Sequence, residues 1–203
     1  MILTLIQSFN ENYLYGGTAM LKLVKGEKVS SLLLSKELIA TRVKELAAQI
    51  NKDYEGKQVT LLGTLTGANI FLADLARELT VDTRLDFMKV SSYSGTESVG
   101  QVRLVHPPTL KLDGAHVIIV EDIIDTGHTA VFLRTFMESQ NTASAAICSL
   151  LSKPSRRVVA DVKCEYLGFE VENVFVVGYG LDYNQRYRNL PYIGILELEK
   201  EVD

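Results

Sequence analysis

Cysteine is scarce in this 203-residue chain: only Cys148 and Cys164 are present, and Cys148 lies inside an apolar run. A disulfide framework is therefore not expected, neither residue has metal-ligand spacing, and a reducing, cytoplasmic setting is favoured. Long hydrophobic runs are also missing. Residues 1–6 are apolar but lack a basic flank and soon meet Asn10, Glu11 and Asn12, so they are too short for a signal h-region or a membrane span, and no membrane partner is expected. There is no excess of positive charge, since the formal net charge is −4. That gives no general electrostatic reason to expect nucleic acid as a partner, and any anion has to be bound locally. The chain has no Gly-x-x-x-x-Gly-Lys-Ser/Thr and no Gly-x-Gly-x-x-Gly after a strand, which removes the P-loop and the dinucleotide fingerprint. Repeats and low-complexity tracts are absent too.

What is present is a composition 47% hydrophobic and 23% charged, suited to one globular domain over residues 1–203 with a proper core. Residues 1–30 carry no chemistry that can be named and read as an N-terminal extension, with turns at Gly16-Gly17 and Gly26. Ser35 is a plausible N-cap with Glu37 in the first turn, and Ile39, Val43, Leu46 and Ile50 repeat at helical spacing.

The chain is organised around residues 115–130. Residues 117–120 (Val-Ile-Ile-Val) form a β-branched run without polar alternation, as expected of a strand buried on both faces of a parallel sheet. The strand is expected to end at once in Glu121 and Asp122, followed by Asp125, Thr126, Gly127, His128 and Thr129. A helix follows, with Ala130, Leu133 and Phe136 or Met137 on one face. A buried strand, a short turn and a helix N-terminus together offer N–H groups and hydroxyls to a phosphate. Three acids in the same turn would repel that phosphate, so they must face hydroxyls, a divalent cation or a transferable proton. A sugar phosphate with a ribose diol and Mg²⁺ nearby meets all three demands.

A second strand-turn-helix unit runs through residues 59–65, interrupted at Gly63, into Thr66, Gly67 and a helix with Leu72, Leu75 or Ala76, and Leu79 inward. Two such units argue for an α/β fold whose ligand lies across the C-terminal ends of the strands. Residues 84–90 are strand-like, and the polar, Gly-flanked segment after them, containing Ser92 and Tyr93, reads as a mobile loop. Residues 145–151 form another buried strand that delivers Lys153. Residues 174–177 form a short strand before Asp182, Arg186 and Arg188, and residues 191–203 a closing strand and charged tail.

Residues 117–129 resemble the purine phosphoribosyltransferases throughout: four hydrophobic residues, two acids, two hydrophobic residues, then Asp-Thr/Ser-Gly-x-Thr. The resemblance extends from about the helix after Ser35 to the closing strand. It implies the type I fold of that family, a central, mostly parallel sheet flanked by helices with a small hood from the terminal segments. The implied activity is purine salvage: hypoxanthine and/or guanine plus phosphoribosyl pyrophosphate gives the nucleoside monophosphate and pyrophosphate, with Mg²⁺.

The resemblance also implies roles. Thr126, Gly127, His128 and Thr129 cradle the 5′-phosphate, Glu121 and Asp122 face the ribose diol, and Asp125 is the general base at purine N7. Lys153 donates to the exocyclic O6, Phe175 stacks on the base and the Val176 backbone meets the purine edge. Thr66 and Gly67 form the pyrophosphate loop, which in the family often has a non-proline cis peptide just before the position of Thr66. Ser92 and Tyr93 begin a flap that closes over the site. Arg188 reaches pyrophosphate, and Asp182, with Glu121 and Asp122, lies by Mg²⁺. Thr66 and His128 stand where several members carry lysine. The family's habit suggests a homodimer or homotetramer. The alternatives are a regulatory protein of the same fold that senses phosphoribosyl pyrophosphate and binds nucleic acid, and a transferase acting on xanthine or a pyrimidine.

Overall fold

A computed structural model describes residues 13–16, 19–22, 27–92, 102–160 and 162–198, with the backbone alone for 13–16, 19–22 and 92. The elements run β1 (Tyr13–Gly16), β2 (Ala19–Lys22), β3 (Glu27–Leu34), α1 (Lys36–Asp53), β4 (Gln58–Thr64), α2 (Asn69–Glu78), β5 (Asp82–Ser92) and β6 (Val102–His106). Then follow β7 (His116–Ile124), α3 (His128–Ser139), β8 (Ser144–Ser152), β9 (Tyr166–Glu170), β10 (Val176–Val177) and β11 (Ile193–Leu198). Among the described residues the central sheet has six strands in the order β6-β5-β4-β7-β8-β9. All neighbours are parallel except β5 and β6, which are antiparallel. A second sheet, β10-β11-β3, is antiparallel and joins the two ends of the chain, and β1 pairs with β2 separately.

Two apolar layers cover the central sheet, as an α/β sheet buried on both faces requires. On one side α1 and α2 supply Ile39, Val43, Leu46, Ile50, Phe71, Leu72 and Leu75 to a core shared with Val59, Leu61, Ile118 and Val120. On the other, α3 supplies Ala130, Leu133 and Met137 against Leu62, Val117, Ile119 and Ile147. The start of α1 is fixed by Ser35, whose hydroxyl accepts the Leu38 N–H at 3.2 Å, so the expected cap and inward face are both present.

Three boundaries differ from the expectations. β7 does not stop at Val120 but continues through Glu121 and Asp122 to Ile124, which pairs with Ser152. Because β8 runs alongside to that point, the ladder carries the acids within the strand. Gly63 does not interrupt β4: a Cβ there would come within 2.5 Å of Leu72 Cδ1, so the glycine lets α2 pack close to the strand. β3 lies partly within the presumed extension, and its pairing with β11 makes it part of the antiparallel sheet.

Candidate active site

The C-terminal ends of β4, β7 and β8 point into one region. Gly127 caps α3 with φ 95° in the left-handed region and without a side-chain cap. A Cβ at Gly127 would come within 2.8 Å of Val162 and 3.2 Å of Arg157, so the turn needs glycine for both its conformation and its space. The first N–H groups of α3 have no intrahelical acceptors and sit at the positive end of the helix dipole. Around them lie Thr126, His128 and Thr129, with His128 Nδ1 3.0 Å from Thr126 Oγ1. The N–H groups of Val158 and Val159 donate to the Thr126 carbonyl at 3.0 and 3.1 Å and hold the turn from behind. A preorganised anion cradle is the result.

Two of the acids, Glu121 and Asp122, lie within β7 rather than in the turn. Glu121 is 6% exposed, and its Oε1 has no hydrogen-bond partner. Burial, and then the charge of Asp122, push its pKa above the ordinary glutamate range. Asp122 accepts the Ile123 N–H at 2.8 Å. Burial raises its pKa as well; Arg188 opposes that rise and Asp182 adds to it. Asp122 meets Gly67, which follows the cis Leu65–Thr66 peptide. A Cβ on Gly67 would stand 1.5 Å from Asp122 Oδ2, and one on Gly180 would stand 2.0 Å from the Gly67 carbonyl oxygen. Thr66, Gly67, Asp122, Asp182 and Arg188 therefore form one cluster. Arg188 pairs with Asp182 at 2.8 Å and donates to the Gly180 carbonyl at 2.7 Å.

A second group lies beyond the end of β8. The Lys153 N–H donates to the Ile124 carbonyl at 3.0 Å, and Nζ donates to the Val174 carbonyl at 2.7 Å. Lys153 is 8% exposed. Burial pushes its ammonium below the ordinary lysine range, with Asp125 acting against that and Arg156 reinforcing it. Asp125 is half-exposed and pairs with Arg156 Nε at 3.1 Å. Phe175, next to Val174, is 52% exposed and rests edge-on against Tyr183, ring centroids 5.7 Å apart at 90°. That leaves ring surface free for a planar partner. Val176 is buried in β10. Ser92 closes β5, and Tyr93 lies outside the described residues. A separate groove of about 530 Å³ between α1 and α2 contains none of the three acids of the turn.

The family model for the phosphoribosyl transferase domain matches residues 30–184. The chain belongs to the phosphoribosyltransferase family. A curated protein named hypoxanthine-guanine phosphoribosyltransferase from Streptococcus thermophilus is 43% identical over 172 residues, which is 84% of this chain and 95% of that protein. A protein of the same name from Streptococcus pneumoniae is 45% identical over the same shares. Among solved structures, a hypoxanthine-guanine phosphoribosyltransferase from Bacillus anthracis superposes with a TM-score of 0.79 at 39% identity, covering 84% of this chain and 99% of that one. The type I fold expected from the motif is thus the fold of this phosphoribosyltransferase, including the small antiparallel sheet.

The carboxylate oxygens of this phosphoribosyltransferase's site are of the donor type that suits Mg²⁺. Asp122 and Asp182 offer carboxylate oxygens, and the unpartnered Oε1 of Glu121, whose proton burial retains, would join them once that proton is lost. Among the described residues no cluster of three or more metal-ligating side chains exists, so such an ion would complete its shell with substrate oxygens and water. Sequence reasoning missed Gly180, Tyr179, Asp74, Arg156 and Arg157. The Gly-Tyr-Gly run at 178–180 was the available signal for the first two, whereas contacts far apart along the chain define the rest. No helix among the described residues is long and apolar enough to cross a membrane.

Proposed function

We propose that this phosphoribosyltransferase performs purine salvage on 6-oxopurines, converting hypoxanthine or guanine and phosphoribosyl pyrophosphate to IMP or GMP and pyrophosphate. The observation that carries the reading is the separation of chemistries around one turn. An anion cradle lies at the start of α3, the Asp122 carboxylate faces Gly67, and the buried Lys153 holds the carbonyl of Val174, next to the exposed ring of Phe175.

In this mechanism the 5′-phosphate sits on the N–H groups and hydroxyls of Thr126, Gly127, His128 and Thr129. Glu121 and Asp122 face the ribose diol and stabilise the positive charge that develops at the sugar. The purine lies on Phe175, its edge against the Val176 backbone and its O6 on Lys153. As N9 bonds to C1′ and the bond from C1′ to the pyrophosphate oxygen breaks, Asp125 takes the N7 proton. Thr66, Gly67 and Arg188 hold the departing pyrophosphate. Asp182, Glu121 and Asp122 would hold Mg²⁺, which when bound neutralises charge on that leaving group. Ser92 and Tyr93 would begin the loop that excludes water from the activated sugar. A homodimer or homotetramer in the cytoplasm, with these small molecules as partners, completes the proposal.

The test is a spectrophotometric assay with phosphoribosyl pyrophosphate and Mg²⁺, offering hypoxanthine, guanine, xanthine, adenine and uracil separately and repeating each with the metal chelated. Metal-dependent turnover of hypoxanthine or guanine supports the reading. Turnover of xanthine or uracil alone would assign a different base, and binding of phosphoribosyl pyrophosphate without any turnover would point to a regulatory protein.

A further inference from the structure

We propose that Tyr179 is a positioning residue for the pyrophosphate side of the site, a strut that fixes the loop bearing Asp182 and Arg188 against the helix that follows Thr66 and Gly67. The inference rests on the phosphoribosyl-transfer reading above and extends it to residues that touch no reacting atom.

The backbone around Tyr179 is unusual. Tyr179 has φ 49°, and Gly178 and Gly180 on either side both have φ 103°. A bulky residue in the left-handed region is uncommon and needs its surroundings to hold it there. Here the Tyr179 N–H donates to the Leu190 carbonyl at 2.8 Å and the Gly180 N–H donates to the Arg188 carbonyl at 2.9 Å. Gly178 and Leu181 exchange two N–H to carbonyl bonds of 3.0 Å each. The side chain is 5% exposed, and its hydroxyl donates to Asp74 Oδ2 at 2.7 Å. Burial, followed by the bond to Asp74, pushes the phenol well above the ordinary tyrosine range, so the hydroxyl keeps its proton at any working pH.

Asp74 is on α2, the helix that begins directly after the Thr66-Gly67 turn. Its other oxygen accepts from Arg77 at 2.7 Å, which holds the carboxylate in place. The Tyr179 to Asp74 bond therefore spans the contact where Gly180 meets the Gly67 carbonyl. Asp182 and Arg188 ride on the Tyr179 side of that contact, and the Gly67 turn rides on the Asp74 side. Backbone contact alone resists approach of the two loops, and the hydrogen bond resists their separation. Lys153 is anchored elsewhere, through the Val174 carbonyl, and the Phe175 backbone through its carbonyl, which accepts the Leu196 N–H of β11 at 2.8 Å, so losing the strut should loosen the grip on pyrophosphate and leave the grip on the base.

The experiment measures calorimetric affinity for phosphoribosyl pyrophosphate with Mg²⁺, both KM values, kcat and Tm in the full chain and in Tyr179→Phe, Asp74→Ala and Asp74→Asn. Losing a hydrogen bond to a charged group predicts a rise of roughly tenfold in Kd and KM for phosphoribosyl pyrophosphate in Tyr179→Phe and Asp74→Ala, with the KM for hypoxanthine within about twofold. Asp74→Asn keeps an acceptor for the phenol and should stay within roughly threefold of the parent. Unchanged affinity in Tyr179→Phe would overturn the proposal. So would an equal rise in both KM values accompanied by a fall in Tm, the mark of general loosening. If the parent chain binds phosphoribosyl pyrophosphate but turns over no base, the functional reading fails on its own, and the calorimetric Kd values still decide the fate of the strut.

Discussion

Replacing Gly67 with alanine should damage the sugar side of the site selectively, and the size of the effect can be worked from the geometry. The added Cβ would stand 1.5 Å from Asp122 Oδ2 and 2.6 Å from its Cγ. Relaxed non-bonded carbon contacts lie near 3.5 Å, so the loop and the carboxylate must part by roughly 2 Å. Rotating the Asp122 side chain is resisted by its bond to the Ile123 N–H at 2.8 Å, and moving the loop is resisted by Gly180, packed against the Gly67 carbonyl. Overpacking of this kind costs about 1–3 kcal/mol. At 2–4 °C per kcal/mol for a chain of this size, Tm should fall by roughly 2–12 °C, leaving a folded protein. Catalysis should suffer more than stability, because a displacement of about 1 Å in a positioned group can cost about 10²-fold in rate. The assay is steady-state kcat/KM with phosphoribosyl pyrophosphate varied at saturating hypoxanthine, then the reverse, beside thermal unfolding. A hundredfold loss seen with phosphoribosyl pyrophosphate, and a much smaller change in the KM for hypoxanthine, is the expected outcome. A folded variant whose kcat/KM stays within threefold of the parent would refute the claim that Gly67 and Asp122 work in contact.

Lys153→Met removes the ammonium but keeps the stem; kcat/KM for hypoxanthine should fall by roughly 10- to 100-fold while affinity for phosphoribosyl pyrophosphate holds, because the lost donor is a charged hydrogen-bond partner. Burial holds the Lys153 ammonium below the ordinary lysine range, so in the parent the kcat/KM for the base should begin to fall at a pH below that range, and a profile flat into strongly alkaline buffer would speak against its role. For stability, burial raises the pKa of Glu121, so the folded protein binds that proton more tightly than the unfolded chain does. Stability therefore falls as pH rises above the ordinary glutamate range. Glu121→Gln should accordingly raise Tm at pH 8.5 but not at pH 5, and equal Tm values at pH 8.5 would contradict the raised pKa.

The parts of this molecule that were legible from sequence are those written in neighbouring residues. The β-branched run before Glu121, the Gly127 turn and the apolar face of α3 are contiguous. Ser35 caps α1 three residues from the N–H it accepts, so periodicity and capping chemistry reach them. The end of β7 was misplaced because carboxylates argue for a loop by composition, whereas the neighbouring strand β8 keeps the ladder intact to Ile124. Gly63 reads as a break in isolation, and only Leu72 packed above it explains a glycine within a strand. The pairing of β3 with β11 joins opposite ends of the chain, and no local pattern announces it. The site divides in the same way. Asp125, Thr126 and Lys153 could be picked out along the chain, but their grouping was implied only through resemblance. The Gly67 to Asp122 contact, the Gly180 to Gly67 contact and the Tyr179 to Asp74 bond exist only once three segments far apart along the chain have been brought together.

The central claim is that one turn divides its work, with the start of α3 holding phosphate and Asp125 taking a proton. Asp125→Asn tests it most directly. The substitution keeps the shape and gives up a half-exposed pair with Arg156, worth about 0–1 kcal/mol, together with the support its charge lends the Lys153 ammonium, so the protein should fold normally. The measurement is kcat with hypoxanthine alongside the Kd for phosphoribosyl pyrophosphate. The account predicts a fall in kcat of roughly 10²- to 10⁴-fold with the Kd unchanged; undiminished kcat, or a loss that appears only in the Kd, would contradict it.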